Sequence, residues 1–318
     1  MKSRSRIRGA SLLRLVLLAL LWGSSFLFIK VAVEGVSPVQ LVLARLALGA
    51  LVLLVLVGIR RAPMPRDAWM WGHLAVAAVV GNIVPYFMFG WGEQRGVASA
   101  VAGSLNATTP LFTLVIARAS GTERIIGPTR AAGLLIGFLG AVVALAPWGH
   151  GASAHTGTGQ LACLLAAASY GVSYVYMRRF ITGRGVSPLA LAASQLALAA
   201  VLLSLTAPVT ARDPITLTTA VILSIVALGV LGTGIAYILN YRLIADEGAT
   251  TASTVTYLLP IVAVALGIIV LGEPISWTLF AGTALILLGI AVAEGRIRNL
   301  LRLDKRQPIA PAGHSDEA

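Results

Sequence analysis

The chain is divided into apolar runs about as long as a bilayer is thick. A helix needs about 20 mostly apolar residues to cross the hydrocarbon core. Ten such runs follow one another, over residues 12–31, 38–58, 69–91, 97–117, 128–147, 159–178, 188–207, 216–240, 250–271 and 276–294. The breaks are short and carry Gly, Pro or charge, as at 58–67 and 178–185. Membrane β-barrels are excluded, because their spans are about 10 residues of alternating polarity. Apolar residues make up 58% of the chain and charged residues 11%, whereas a soluble domain carries about 25% charged residues. The expected fold class is all-α integral membrane.

The net charge of +12 would by itself suggest a nucleic-acid partner. The placement of the charge argues against one, since the basic residues cluster between the apolar runs. With the N-terminus inside, one side of the membrane holds Arg4, Arg6 and Arg8, then Arg60, Arg61 and Arg66. The same side holds Arg118, Arg124 and Arg130, then Arg178, Arg179 and Arg184, and finally Arg296, Arg298 and Arg302. The opposite loops hold only Arg95 and Arg212, with Lys30 at a helix end. The positive-inside rule then places both termini in the cytoplasm, as expected of a multi-pass protein of a bacterial inner (plasma) membrane. Trp69, Trp71, Trp91, Trp148 and Trp277 fall at the expected interfaces as an aromatic belt, and Trp22 lies mid-span. The lone Cys163 excludes an internal disulfide framework and a Cys-based metal site.

The two halves repeat at an offset of about 150 residues, the kind of internal period a repeat search looks for. Val36-Ser37-Pro38 recurs as Val186-Ser187-Pro188, Gly81 and Tyr86 as Gly232 and Tyr237, Pro110 as Pro260, and Glu123 as Glu273. The expected organisation is a basic N-terminus (1–11), a first five-helix repeat (12–147), a periplasmic linker (148–158), a second five-helix repeat (159–294) and a cytoplasmic tail (295–318). Five spans per repeat invert the second repeat relative to the first. Inverted repeats mark secondary transporters with a midplane site between the repeats. An old duplication kept for packing is the alternative.

The same residues carry a family resemblance. Leu21-Trp22-Gly23-Ser24 and Ser37-Pro38 with Ala44-Arg45 match in the first two helices, and Pro110-Leu111-Phe112 in the fourth. Leu258-Leu259-Pro260 and Leu271-Gly272-Glu273-Pro274-Ile275-Ser276 match in the second half. In order and spacing, from about residue 11 to 294, the chain resembles the drug/metabolite transporter superfamily and its EamA-like members. It departs from that pattern at Gly121-Thr122-Glu123, where the family has Gly directly before Glu. The resemblance implies ten helices in two inverted repeats, with helices five and ten peripheral to a central cavity. It also implies a small-molecule substrate, with export of an amino acid or related organic compound as the leading expectation. Uptake or exchange by the same fold is the second.

Helical spacing gathers the polar residues into stripes. Asn82, Tyr86, Phe89 and Glu93 share a face of helix three, and Thr233, Tyr237 and Asn240 repeat that stripe in helix eight. Helix one offers Trp22 and Phe26, helix six Tyr170 and Tyr174, helix four Asn106, and helix nine Tyr257. The candidate substrate-binding set is Trp22, Arg45, Asn82, Tyr86, Asn106, Tyr170, Tyr174, Tyr237, Asn240 and Tyr257. Use of single Ser, Thr or Asn residues as helix–helix glue is the competing reading. Arg45 is the one charge well inside a span, placed either to bind a carboxylate or to serve a structural end. Pro110 and Pro260 each remove a helical hydrogen bond and are expected to bend helices four and nine. Lys30 and Glu93 are candidates for a gate or a coupling group. No Asp or Glu falls in the middle of a span, which predicts transport without an obligatory midplane proton relay.

No phosphate-cradling loop and no catalytic constellation appears. Neither enzymatic activity nor a cofactor is expected, and a polytopic membrane enzyme is the rival from another class. His150 and His155 lack further ligands, so no metal site is expected. Membrane lipid is an expected partner and nucleic acid is not. Gly133 and Gly137 form a GxxxG that suits close helix contact within the chain or across a homodimer, and monomer and homodimer are both compatible.

Overall fold

The computed structural model describes residues 2–122, 127–145, 154–247, 255–274 and 276–293, with no strand among the described residues. Eight helices are long and apolar enough to cross a membrane: α1 (Ser11–Ala32), α2 (Pro38–Arg60), α3 (Ala68–Gln94), α4 (Ser99–Ala119), α5 (Pro128–Leu145), α6 (Thr156–Phe180), α7 (Pro188–Thr210) and α8 (Thr219–Asn240). Two shorter apolar helices complete the described part, α9 (Val255–Leu271) and α10 (Trp277–Ala293). Leu51, Val55, Ile59, Leu135, Leu205 and Ile269 are all exposed, as side chains solvated by lipid would be.

The repeated Ser-Pro marks the start of two equivalent helices. Pro38 and Pro188 occupy the first turns of α2 and α7, where a missing N–H is harmless. Gln40 Oε1 accepts from Ser37 N–H at 2.8 Å, and Ser187 Oγ accepts from Ala190 N–H at 3.2 Å. The helix containing α1 begins at Lys2, within the segment expected to precede the first span. That containing α6 begins at Ala154, inside the expected linker, and that containing α8 runs on to Glu247. Hydropathy registers only the stretch that suits lipid, while helical propensity continues beyond it.

Three kinds of irregularity interrupt the helices, one of them beside Pro110, where the sequence predicts a bend. The chain breaks at Ser24 in α1, between the helical pieces Lys2–Gly23 and Ser25–Ala32. Helix α4 breaks between Asn106 and Thr109, just ahead of Pro110. Pro110 has no N–H for the carbonyl of Asn106, and Thr109 Oγ1 donates to that oxygen instead, at 2.8 Å. Pro260, by contrast, lies within an uninterrupted α9. The third irregularity is π-helix, over Val79–Ile83 in α3 and Ala227–Ile235 in α8. The two segments occupy corresponding places in the repeats.

Helix pairing follows the same correspondence. Helix α2 packs on α7, α4 on α9 and α5 on α10, each pair joining equivalent elements. The larger of the remaining contacts come in matched sets: α1 with α8 and α6 with α3, α1 with α9 and α6 with α4, α2 with α8 and α7 with α3. The α5–α10 pair is a small-residue seam. A Cβ on Gly289 would lie 2.4 Å from Gly137 N, and one on Gly133 2.4 Å from Ala293 N. The GxxxG of helix five is therefore spent on contact within the chain.

Candidate functional site

Between the repeats lies a cavity of about 590 Å³. Its walls come from α1, α3, α4, α6, α8 and α9, with Arg45 from α2, and α5 and α10, expected to be peripheral, add Arg130, Ile290 and Ala293. At one end Thr122, Arg130, Arg178 and Ala293 line it, at or near the ends of their helices. Toward the other end it stops at Ile29 and Phe89. Phe26 and Phe89 meet there edge to face at 5.3 Å, both nearly fully buried. The cavity is thus sealed at the Lys30–Glu93 end and reaches the arginine-bearing end.

The aromatic walls obey the repeat. Trp22 meets Tyr237 edge-on at 6.5 Å and 78°. Tyr170 and Tyr86, their counterparts, meet edge-on at 6.5 Å and 71°. Close helix approach sets both pairs: Gly232 lies against Ser25 and Leu21 on α1, and Gly81 against Ser173 on α6. A Cβ on Gly81 would fall 2.3 Å from Ser173 Oγ.

One position breaks the symmetry. Arg45 and Gln195 are equivalents on α2 and α7. Gln195 Nε2 donates to Asn82 Oδ1 at 2.6 Å and to Ala77 O at 3.3 Å, behind the cavity wall. Arg45 Nε donates to Thr233 Oγ1 at 3.0 Å, and Thr233 Oγ1 donates to Leu228 O at 2.9 Å inside the π segment. The Arg45 guanidinium carbon lies 3.9 Å above the Tyr86 ring, a cation–π contact. The π segments supply the partner in each case, in keeping with their frequency at functional sites.

Of the sequence-predicted set, Trp22, Arg45, Tyr86, Asn106, Tyr170, Tyr174, Tyr237 and Asn240 all line the cavity. Asn82 does not; it is wholly buried and bonded to Gln195. The side chain of Tyr257 and the residues Glu123 and His150 lie outside the described ones. Pro110 lines the wall beside the α4 break. Sequence reading missed Thr109, Thr113 and Leu259 as wall residues, and it read Arg130 and Arg178 only as loop charges.

The sealed end holds two carboxylates. Lys30 Nζ donates to the backbone carbonyls of Glu93 at 2.9 Å and Val97 at 3.0 Å, tying α1 to the end of α3. The Glu93 side chain, expected near the surface, is 1% exposed, and neither carboxylate oxygen has a hydrogen-bond partner among the described residues. Glu273 reaches from the turn before α10 to the start of α4. It accepts from Ser99 N–H at 2.6 Å and Ala100 N–H at 3.0 Å. Gly272, at φ +64, makes the turn that aims it. The Gly-Glu of the second half is therefore a helix cap supplied in trans by another helix pair.

Known proteins share this arrangement. The pattern of the EamA-like transporter family matches residues 9–146 and again 157–294. The chain belongs to the EamA-like transporter family. EamA-like relatives include the uncharacterized transporter YdfC of Bacillus subtilis, 28% identical over 87% of this chain and 86% of that one. A probable terminal-alkyne amino-acid exporter of Streptantibioticus cattleyicolor is 28% identical over 89% of this chain and 92% of its own. The uncharacterized inner membrane transporter YedA of Escherichia coli is 27% identical over 81% and 82%. A solved crystal structure superposes with a TM-score of 0.65 at 24% identity, covering 92% of this chain and 99% of that one, and so shares the fold.

Proposed function

We propose that this EamA-like protein is a secondary transporter that moves a small organic solute by alternating access, and that the structure is its state open to the arginine-bearing side. The observation that carries this reading is the pair of repeat-related aromatic walls around a cavity closed at one end. If the two repeats, 12–147 and 159–294, exchange conformations, the sealed end opens and the open end seals, as inverted repeats allow. Trp22, Arg45, Tyr86, Asn106, Tyr170, Tyr174, Tyr237 and Asn240 face the solute, and Lys30 and Glu93 belong to the gate opposite the mouth. The helices α9 and α10 complete ten spans, with both termini cytoplasmic in a bacterial inner membrane. The arginine distribution supports that orientation. Export of an amino acid or a related compound is the reading that a relative named as a probable amino-acid exporter supports.

Thiol labelling tests both the state and the orientation. In a Cys163→Ala background, Thr113→Cys on the cavity wall is expected to react with an impermeant reagent in inside-out vesicles and not in intact cells. Reaction from the outer face alone would reverse the orientation. Equal reaction from both faces would contradict a resting state open to one side alone.

A further inference from the structure

We infer that the solute is an amphipathic organic anion, a carboxylate in its simplest form, whose negative group is received by Arg45; the inference rests on the transport reading above. Arg45 lines the cavity and is only 7% exposed, so most of its side chain is packed against protein while the guanidinium reaches the cavity. It forms no ion pair among the described residues. Its one hydrogen bond there is from Nε to Thr233, which leaves the two terminal nitrogens of the guanidinium without an acceptor among the described residues. Tyr86 below and Thr233 behind fix the plane of the fork. A planar fork held in this way matches the two oxygens of a carboxylate. Charges held inside a membrane protein are paired or serve a pathway, and here no pairing group stands among the described residues of the wall.

The rest of the wall points to the same class. Among its described side chains are Arg45, Arg130 and Arg178 but no Asp or Glu. A monoanion makes the buried centre neutral, whereas an organic cation adds like charge. Arg178 at the mouth adds positive charge along the approach of an anion. Phe26, Ile29, Phe89 and Leu259 offer the body of the solute an apolar bed. N-blocked amino acids, aryl carboxylates and medium-chain carboxylates all fit this description. Gln195, the repeat counterpart, is neutral and turned away into its own bond with Asn82. The anion site is therefore single, despite the two-fold walls.

Paired probes decide the matter without any variant. Benzoate, phenylacetate, octanoate and N-acetylphenylalanine are each compared with the corresponding amide as stabilisers of the purified protein against heat. At least one acid should stabilise at a concentration about tenfold or more below its amide, the range that losing a charged hydrogen-bond partner gives. In Arg45→Gln the acid should fall to the level of its amide, and Arg45→Lys should keep part of the preference. Amides equal to acids in every pair, phenylalanine methyl ester superior to N-acetylphenylalanine, or no acid acting at all would overturn the inference. Acids that bind selectively but are not carried across proteoliposomes would instead contradict the transport reading and leave the anion site standing.

Discussion

At the residue scale, one substitution between two equivalent positions separates a bond behind the wall from a group that faces the cavity. Gln195 donates to Asn82 Oδ1 in the interior, whereas Arg45 in the same place is fixed by Thr233 and Tyr86 and still faces the cavity. Glu273 shows the other use of a charge. Its carboxylate supplies two acceptors for backbone N–H groups at the start of α4, which no residue of α4 itself covers. Glu273→Ala leaves both donors buried without partners, a loss of about 1–3 kcal/mol. The variant should therefore melt at lower temperature than wild type in the same detergent, with Glu273→Gln between them. An unchanged midpoint in Glu273→Ala would remove the capping role.

Among the elements, the α5–α10 seam is the one most narrowly fitted. A Cβ at Gly289 would meet Gly137 N at 2.4 Å and Gly137 Cα at 2.5 Å, so it strikes backbone and not a movable side chain. Gly289→Val is expected to cost about 1–3 kcal/mol, the usual penalty of overpacking, read as a lower midpoint in thermal unfolding. Gly58→Ala, with open space around it, is the matched control and should leave the midpoint unchanged. The elements also show what a sequence can and cannot disclose. Apolar runs gave the spans, because lipid demands continuous apolar length. The Ser-Pro pairs gave the starts of α2 and α7, because capping chemistry is local. The π segments left no trace in a 3.6-residue pattern, since their extra residue is only meaningful against the neighbouring helix. The Glu273 cap was likewise hidden, because its partners lie across the fold at Ser99 and Ala100. The stripes hold Tyr86 and Tyr237, and both line the cavity. The same stripe carried Asn82, one turn away, into the interface with α7.

For the whole molecule, the matched helix pairs and the walls repeated at 6.5 Å describe one arrangement that can be occupied from either repeat's side. Such a molecule is a carrier when only one end is open at a time. Glu93 enters here because it lies in the seal, close to Lys30, and not in the wall of the cavity. Its position favours gating over an obligatory proton relay, so a pH gradient with equal solute on both sides should drive no lasting accumulation. Accumulation abolished by a protonophore and by Glu93→Gln would assign coupling to that carboxylate instead. The most direct measurement of the central claim is solute counterflow in proteoliposomes, run with amino acids and the carboxylates named above. Uptake of tracer should saturate with concentration and be accelerated by unlabelled solute inside, and Tyr86→Ala and Tyr237→Ala should each lower it while folded protein remains in the membrane. Flux that rises without saturation, or that is indifferent to both substitutions, would contradict transport through this cavity.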